Sequence, residues 1–497
     1  MKRTTVTYRS EGKSSLENRK LLFQRRYAHH TYTALCGGVG MPDRTIQQKA
    51  FAKIIDSCLN LQQSEQFVVL YDESSSRFID VLSLLTIERN IQTTLLFIPD
   101  AIQRHICNRL HTHPDETWLP MPIEEALSLA DGVLNLVSGG TETLPFRKSI
   151  LKVTRSSNCR FAHIPGISKE IIELVSRSPF ETILEHAELV AWALGGATNA
   201  TLVTKDSRGQ LFRLAMNLGG WKNEPLMSPG LLFPGSWGNL PPGETFCCPE
   251  PSEVSGKVCI SGSVPGYVIE KGKEVVLTFE SGRMVSVDSE SDSPAREFFD
   301  RAKQKYEQEG DSDWNLFAEL GIGLNPAIPA LTGNSLYDEK VAGTVHVAIG
   351  ENTYFGHNNR SGLHADLAIL EPTLSIGDRV IVQDGELRTD EMLELRSSWN
   401  APRRPLAESS RLRLREADIV EVDGQAYRRL CKASRVGQVR MASDAVGRDL
   451  LEVTRALSEM ENASVGGLRE AISPQAAKRV SELLDILQYF ECIEVKA

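Results

Sequence analysis

At 497 residues the chain has material for about three domains of ordinary size, each with a large core. Apolar residues make up 41% and charged residues 24%, and a formal net charge of −10 argues against general affinity for nucleic-acid backbones or anionic membranes. No uncharged apolar stretch approaches the roughly 18 residues of a membrane span, and no apolar run follows Lys2 and Arg3 to make a signal peptide, so a cytoplasmic location is expected.

Residues 1–230 read as an α/β domain. Residues 67–72 form a short apolar run that closes on a polar turn, the pattern of a buried strand. A helical pattern follows through Phe78, Val81, Leu82, Leu85 and Ile87, then a second strand over 93–98. Strands recur at 133–137 and 159–163, and helices at 169–175 and 182–194. This alternation predicts a sheet with parallel pairs, whose ligands would bind at the strand C-termini. No glycine-rich phosphate loop accompanies it; Gly139-Gly140 and Gly195-Gly196 read as turns.

Over 231–396 the texture changes. Pro234, Gly235, Gly238, Pro241, Pro242 and Gly243 punctuate the entry, and strands are expected at 257–261, 275–279 and 284–287, with one helix over 295–308. This is predicted to be a β-rich, barrel-like, metal-binding domain. A polar linker with Pro402 and Pro405 follows. Residues 411–497 read as a small α+β unit. It has a hairpin about Asp423-Gly424, a helix over 444–457, a second helix capped by Ser473-Pro474 and a closing strand over 492–495. In pattern it resembles the winged-helix-like, leader-peptide-recognition domains of ribosomal-peptide biosynthesis; a dimerisation or packing module is the alternative.

Four segments of the second domain each present a metal-ligand side chain: Pro-Pro-Gly-Glu244, Ala-Glu319-Leu-Gly-Ile-Gly, Gly-Thr-Val-His346-Val-Ala-Ile-Gly and Leu-His364-Ala-Asp366-Leu. In a strand, residues i and i+2 share a face about 7 Å apart, so His364 and Asp366 can approach one site. Val345, Val347 and Ile349 make a buried face opposite His346. Glycines at 321 and 323 would let a ligand or backbone come close to Glu319. Imidazoles with carboxylates suit zinc, cobalt, manganese or iron(II) better than calcium. Three carboxylates and two imidazoles are enough for two divalent cations with one carboxylate bridging and a shared water as nucleophile.

On these segments the stretch 230–390 resembles the aminopeptidase T (thermophilic) family of metalloaminopeptidases. The resemblance implies a dimeric enzyme that removes N-terminal residues from a peptide substrate with two divalent metals (zinc, cobalt, manganese or magnesium). Glu244, Glu319, His346, His364 and Asp366 would be the ligands, and Tyr354 would stabilise the tetrahedral intermediate. The short link from His346 to His364, carrying Asn358, Asn359 and Arg360, departs from that family, as does the added tail, which hints at peptide natural-product maturation. Two other readings compete. Ring-cleaving dioxygenases acting on dihydroxypyridines share the scaffold and bind one iron(II), for which His346, His364 and Asp366 would serve; retention of Glu244 and Glu319 favours two metals. The third is a non-catalytic peptide-binding protein.

Among other features, nine cysteines without a framework spacing suit free thiols. Cys107, His111 and His113 could hold a metal but lack a fourth ligand and read as a solvated turn. His29-His30, beside Arg25 and Arg26, reads as polar surface.

Overall fold

A computed structural model describes residues 41–112, 118–139, 143–155, 157, 159–220 and 223–397, and beyond them the segments 411–414, 419–422, 425–429, 438–440, 444–460, 463–489 and 492–496. His29, His30, His113 and the Asp423-Gly424 turn lie outside the described residues.

The predicted α/β class is observed. Five strands form an all-parallel sheet in the order Gln92–Phe97, Gln66–Tyr71, Gly132–Asn135, Arg160–His163, Trp237–Asn239. Phe67, Val69 and Leu70 are fully buried, as are Leu134 and Ala162, because helices cover both faces of a parallel sheet. Asp72, just past the first strand, ties the strand ends together. Its carboxylate accepts from Ser75 N at 3.0 Å and from Ser138 N at 2.6 Å, bridging the ends of two neighbouring strands.

Two antiparallel sheets follow. One has eight strands, among them Asn199–Lys205 and Leu211–Asn217, which pair with Thr373–Ile376 and Val254–Ile260. The other has seven, in the order Tyr267–Val268, Ser263–Val264, His364–Ile369, Val345–Gly350, Phe317–Gly323, Glu244–Cys247, Leu226–Ser228. Sheet membership therefore crosses position 230 in both directions: strands before it join an antiparallel sheet, and Trp237–Asn239 joins the parallel one. The barrel-like expectation becomes two open sheets.

Val345, Val347 and Ile349 are fully buried, each side chain contributing about 1.5–3 kcal/mol. A one-residue slip would turn all three away from the core, so the register that places His346 is strongly held. At the C-terminal end Ser473 caps the helix Pro474–Lys478 by accepting from Ala476 N, as its Ser-Pro pair predicts, and the strand Ile493–Lys496 pairs with Arg411–Leu414. No helix among the described residues is long and apolar enough to cross a membrane.

Candidate metal centre

The seven-stranded sheet assembles the site through its register. Gly323 pairs with Glu244, Gly321 with His346 and Gly350 with His364, while Glu319 and Asp366 both pair with Ala348, one from each side. Paired residues share a sheet face, so all five expected ligands emerge on one face with only glycine and alanine between them. At Gly321 this is obligatory: a Cβ there would fall 2.1 Å from His346 Nε2.

His346 Nε2 lies 3.1 Å from Glu319 Oε1 and 3.9 Å from Glu244 Oε2. His364 Nε2 lies 3.3 Å from Asp366 Oδ1 and 3.7 Å from Glu319 Oε2. Ligand atoms of Glu244, Glu319 and His346 lie within 4.8 Å of one another, as do those of Glu319, His364 and Asp366. Glu319 is common to both groups. Thus the five side chains converge, and His346 joins the Glu244 side rather than closing a trio with His364 and Asp366. Tyr354 sits in the turn Thr353–Phe355, but its side chain lies outside the described part. The alternative Cys107 site gains no support, since Cys107 is buried in the helix Asp100–Thr112.

Two charged residues here escape a sequence reading: Glu339 and Lys340. Lys340 has no exposed surface; its Nζ lies 3.1 Å from Glu244 Oε1 and also pairs with Glu339. In sequence, Asp338-Glu339-Lys340 resembles any solvated charged turn. The fold pulls it inward because Asp338 accepts from Thr332 N and Gly333 N, and Lys340 O accepts from Asn325 N at 2.8 Å.

The electrostatics are those of a pocket that demands positive charge. Burial works against a charged His364, but Asp366 and Glu319 outweigh it and push its pKa up to about 10. Burial likewise opposes the His346 cation, yet its bond to Glu319 raises its pKa. Burial alone would raise the Asp366 pKa, but the charge and hydrogen bond of His364, the His346 charge and a hydrogen bond from Glu339 together hold it below the usual carboxylate range. Glu339 goes the other way, raised well above that range by burial and by the Glu244 charge. Lys340 stays protonated because Glu244 and Glu339 more than offset its burial. A divalent cation would replace the imidazole protons while meeting the same acids. The donor set therefore fits a borderline metal.

The site opens into a cavity of about 880 Å³. Phe246 and Phe355 meet edge to face at 4.8 Å, and Phe355 lies 6.2 Å from the His364 ring, giving an apolar aromatic wall beside the ligands. Across the cavity stand Asn135, His163 and Asn239, the last residues of three parallel strands. The C-terminal ends of the parallel sheet thus face the metal-ligand sheet.

Residues 232–389 match the model of a family described as NicX, 2,5-dihydroxypyridine 5,6-dioxygenase, and this segment contains all five expected ligands. No curated protein matches the chain. Among solved structures, a 2,5-dihydroxypyridine dioxygenase from Pseudomonas putida KT2440 is similar at 16% identity and a TM-score of 0.57, over 71% of this chain and 99% of that one. Wild-type AmpT from Thermus thermophilus is similar at 16% identity and a TM-score of 0.46, over 69% and 99%. The likeness to the dioxygenase structure shows a shared fold. The family match overturns the aminopeptidase reading, together with its hydrolase and protease chemistry, in favour of the dioxygenase alternative. Both readings rest on the same segments of this chain, so its side-chain inventory alone does not separate them.

Proposed function

We propose that this chain is a metal-dependent dioxygenase that opens a dihydroxylated, nitrogen-containing aromatic ring of the dihydroxypyridine type. The observation that carries this reading is the family match over the ligand-bearing segment 232–389. In such a reaction the bond between two adjacent ring carbons breaks and each carbon takes one atom of O2, so no external reductant is required.

Charge balance supports one divalent cation rather than two. With Glu339 kept protonated, three carboxylates remain: Glu244, Glu319 and Asp366. One divalent ion and the Lys340 ammonium balance them. A second divalent ion would leave excess positive charge in a buried site, which is costly. Lys340 already lies against Glu244, so the open group is Glu319, His364 and Asp366. Bound there, iron(II) would supply the one-electron chemistry that lets O2 react with a closed-shell ring.

The chain's own residues do the rest. His364 Nδ1 donates to the Glu351 carbonyl, which aims Nε2 at the acids. Glu339 shares a hydrogen bond with Asp366, leaving that carboxylate fewer free lone pairs and one orientation. The Phe246–Phe355 wall offers a flat ring a stacking face and keeps water from it.

The test is oxygen uptake by protein loaded anaerobically with iron(II) and offered 2,5-dihydroxypyridine and related dihydroxylated rings. Uptake that requires both iron and ring, and disappears in Asp366→Asn, supports the proposal. Absence of uptake with every such ring, from a protein that holds iron, contradicts it.

A further inference from the structure

The wall opposite the metal ligands is built from hydrogen-bond donors. Asn135 Oδ1 accepts from Val137 N at 3.1 Å, which fixes its amide and turns Nδ2 to His163 Nδ1 at 3.1 Å. His163 Nδ1 is thereby an acceptor, so the ring proton resides on Nε2. Burial and the nearby Arg147 charge hold the His163 pKa well below its ordinary value and the ring neutral. Arg147 donates to Asn239 Oδ1 at 3.2 Å, and its guanidinium stands 4.7 Å over the Trp237 ring. All of these residues line the cavity, and so does Ser228.

One donor on this wall is buried without any partner: Trp237 Nε1, in a residue 8% exposed. Ser228 Oγ, also buried without a partner, stands on the metal-ligand sheet beside Glu244 instead. An indole N–H can only donate, and leaving it unpaired costs about 1–3 kcal/mol, so this atom marks a place where a ligand completes the bonding. Among the described residues of this wall there is no carboxylate. The cavity is therefore polarised, with acids and metal ligands on one side and a guanidinium with neutral donors on the other.

Resting on the proposed ring-cleaving function, we infer that the wall of Arg147, His163 and Trp237 is a carboxylate-binding subsite, so that the substrate ring carries an acidic substituent pointing away from the metal. Uncharged dihydroxypyridine would offer the Trp237 N–H no anionic acceptor. A carboxylate offers about four lone-pair sites, enough for the indole N–H, the imidazole N–H and the guanidinium together.

The test reads binding rather than turnover, which keeps it independent of the oxygen chemistry. The full-length iron(II)-loaded protein is titrated anaerobically in a calorimeter with nicotinate and with nicotinamide, which share a ring and differ in charge. Nicotinate is expected to bind at least about 10-fold more tightly. Arg147→Gln and Trp237→Phe should each weaken nicotinate about 10-fold or more and leave nicotinamide unchanged, while Asp366→Asn leaves nicotinate in place. The phenylalanine variant keeps the ring that packs under Arg147, so it reads the lost N–H even if Arg147→Gln does not fold. Equal binding of the two compounds, or no binding of either, overturns the inference. So does loss of nicotinate in Asp366→Asn alone, which would seat the carboxylate on the metal and leave the proposed function standing.

Discussion

His364 Nδ1 lies 2.7 Å from the Glu351 carbonyl oxygen, and this one bond determines which nitrogen of the ring meets the acids. A carbonyl can only accept, so Nδ1 carries hydrogen and Nε2 faces Asp366 and Glu319. Backbone positions of a turn thus set the donor atom of a ligand 13 residues further on. His364→Ala should remove that donor. Iron content after anaerobic loading and gel filtration should fall from about one per chain to near zero, with turnover down more than about 100-fold, beyond what loss of an outer partner costs. Full iron content in this variant would show that the metal lies elsewhere.

Lys340 gives the account its sharpest consequence. Replacing a fully buried cation with methionine leaves Glu244 uncompensated, at a cost of about 3–5 kcal/mol. Lys340→Met should therefore melt earlier in chelator and recover stability when excess divalent metal is added, now with about two ions per chain. A variant as stable as the parent, with unchanged stoichiometry, would contradict the role given to this ammonium.

Gly321 tests the packing behind the ligands. Gly321→Ala puts a methyl group where His346 Nε2 now lies, so the imidazole must move or the strands must part. Overpacking of this kind costs about 1–3 kcal/mol. Thermal unfolding and metal titration should both report the change; a variant with native stability and native metal affinity would place His346 elsewhere.

Asp72 supplies a pH prediction away from the metal. Burial alone would raise its pKa, but hydrogen bonds from Ser138, Ser74 and Ser75 outweigh it and lower the value from 3.8 to about 2. A group depressed on folding contributes stability above its unfolded pKa and loses it as the pH falls through the folded one. Asp72→Asn should therefore cost about 2 kcal/mol at pH 7, and the gap should close between about pH 4 and pH 2. Denaturant melts of both proteins across that range would check it. A gap independent of pH would assign the cost to lost geometry instead.

What could be read from the residues, and what could not, divides along the range of the interactions. Alternation about His346 and the His364-Ala-Asp366 spacing revealed the ligand strands because strand period is local. Parallel pairing likewise followed from alternating strands and helices. Lys340 and Glu339 were illegible, since only the long-range bonds of Asp338 and Asn325 turn that charged segment inward. Arg147 and His163 lie far from the ligand segments in sequence and meet them only when the two sheets pack. The two glutamates point to two metals when read alone, because nothing in the sequence says that a lysine stands against one of them. The same pair of glutamates is what favours hydrolysis over oxygen chemistry when the residues are read alone.

The most direct test follows oxygen atoms. Iron-loaded protein is incubated with a dihydroxylated pyridine substrate under 18O2 in ordinary water, and the ring-opened product is analysed by mass spectrometry. The account predicts a product carrying two heavy oxygen atoms, apart from any carboxylate exchange measured in a control. A product whose new oxygen comes only from water would contradict it, because the site would then be activating solvent.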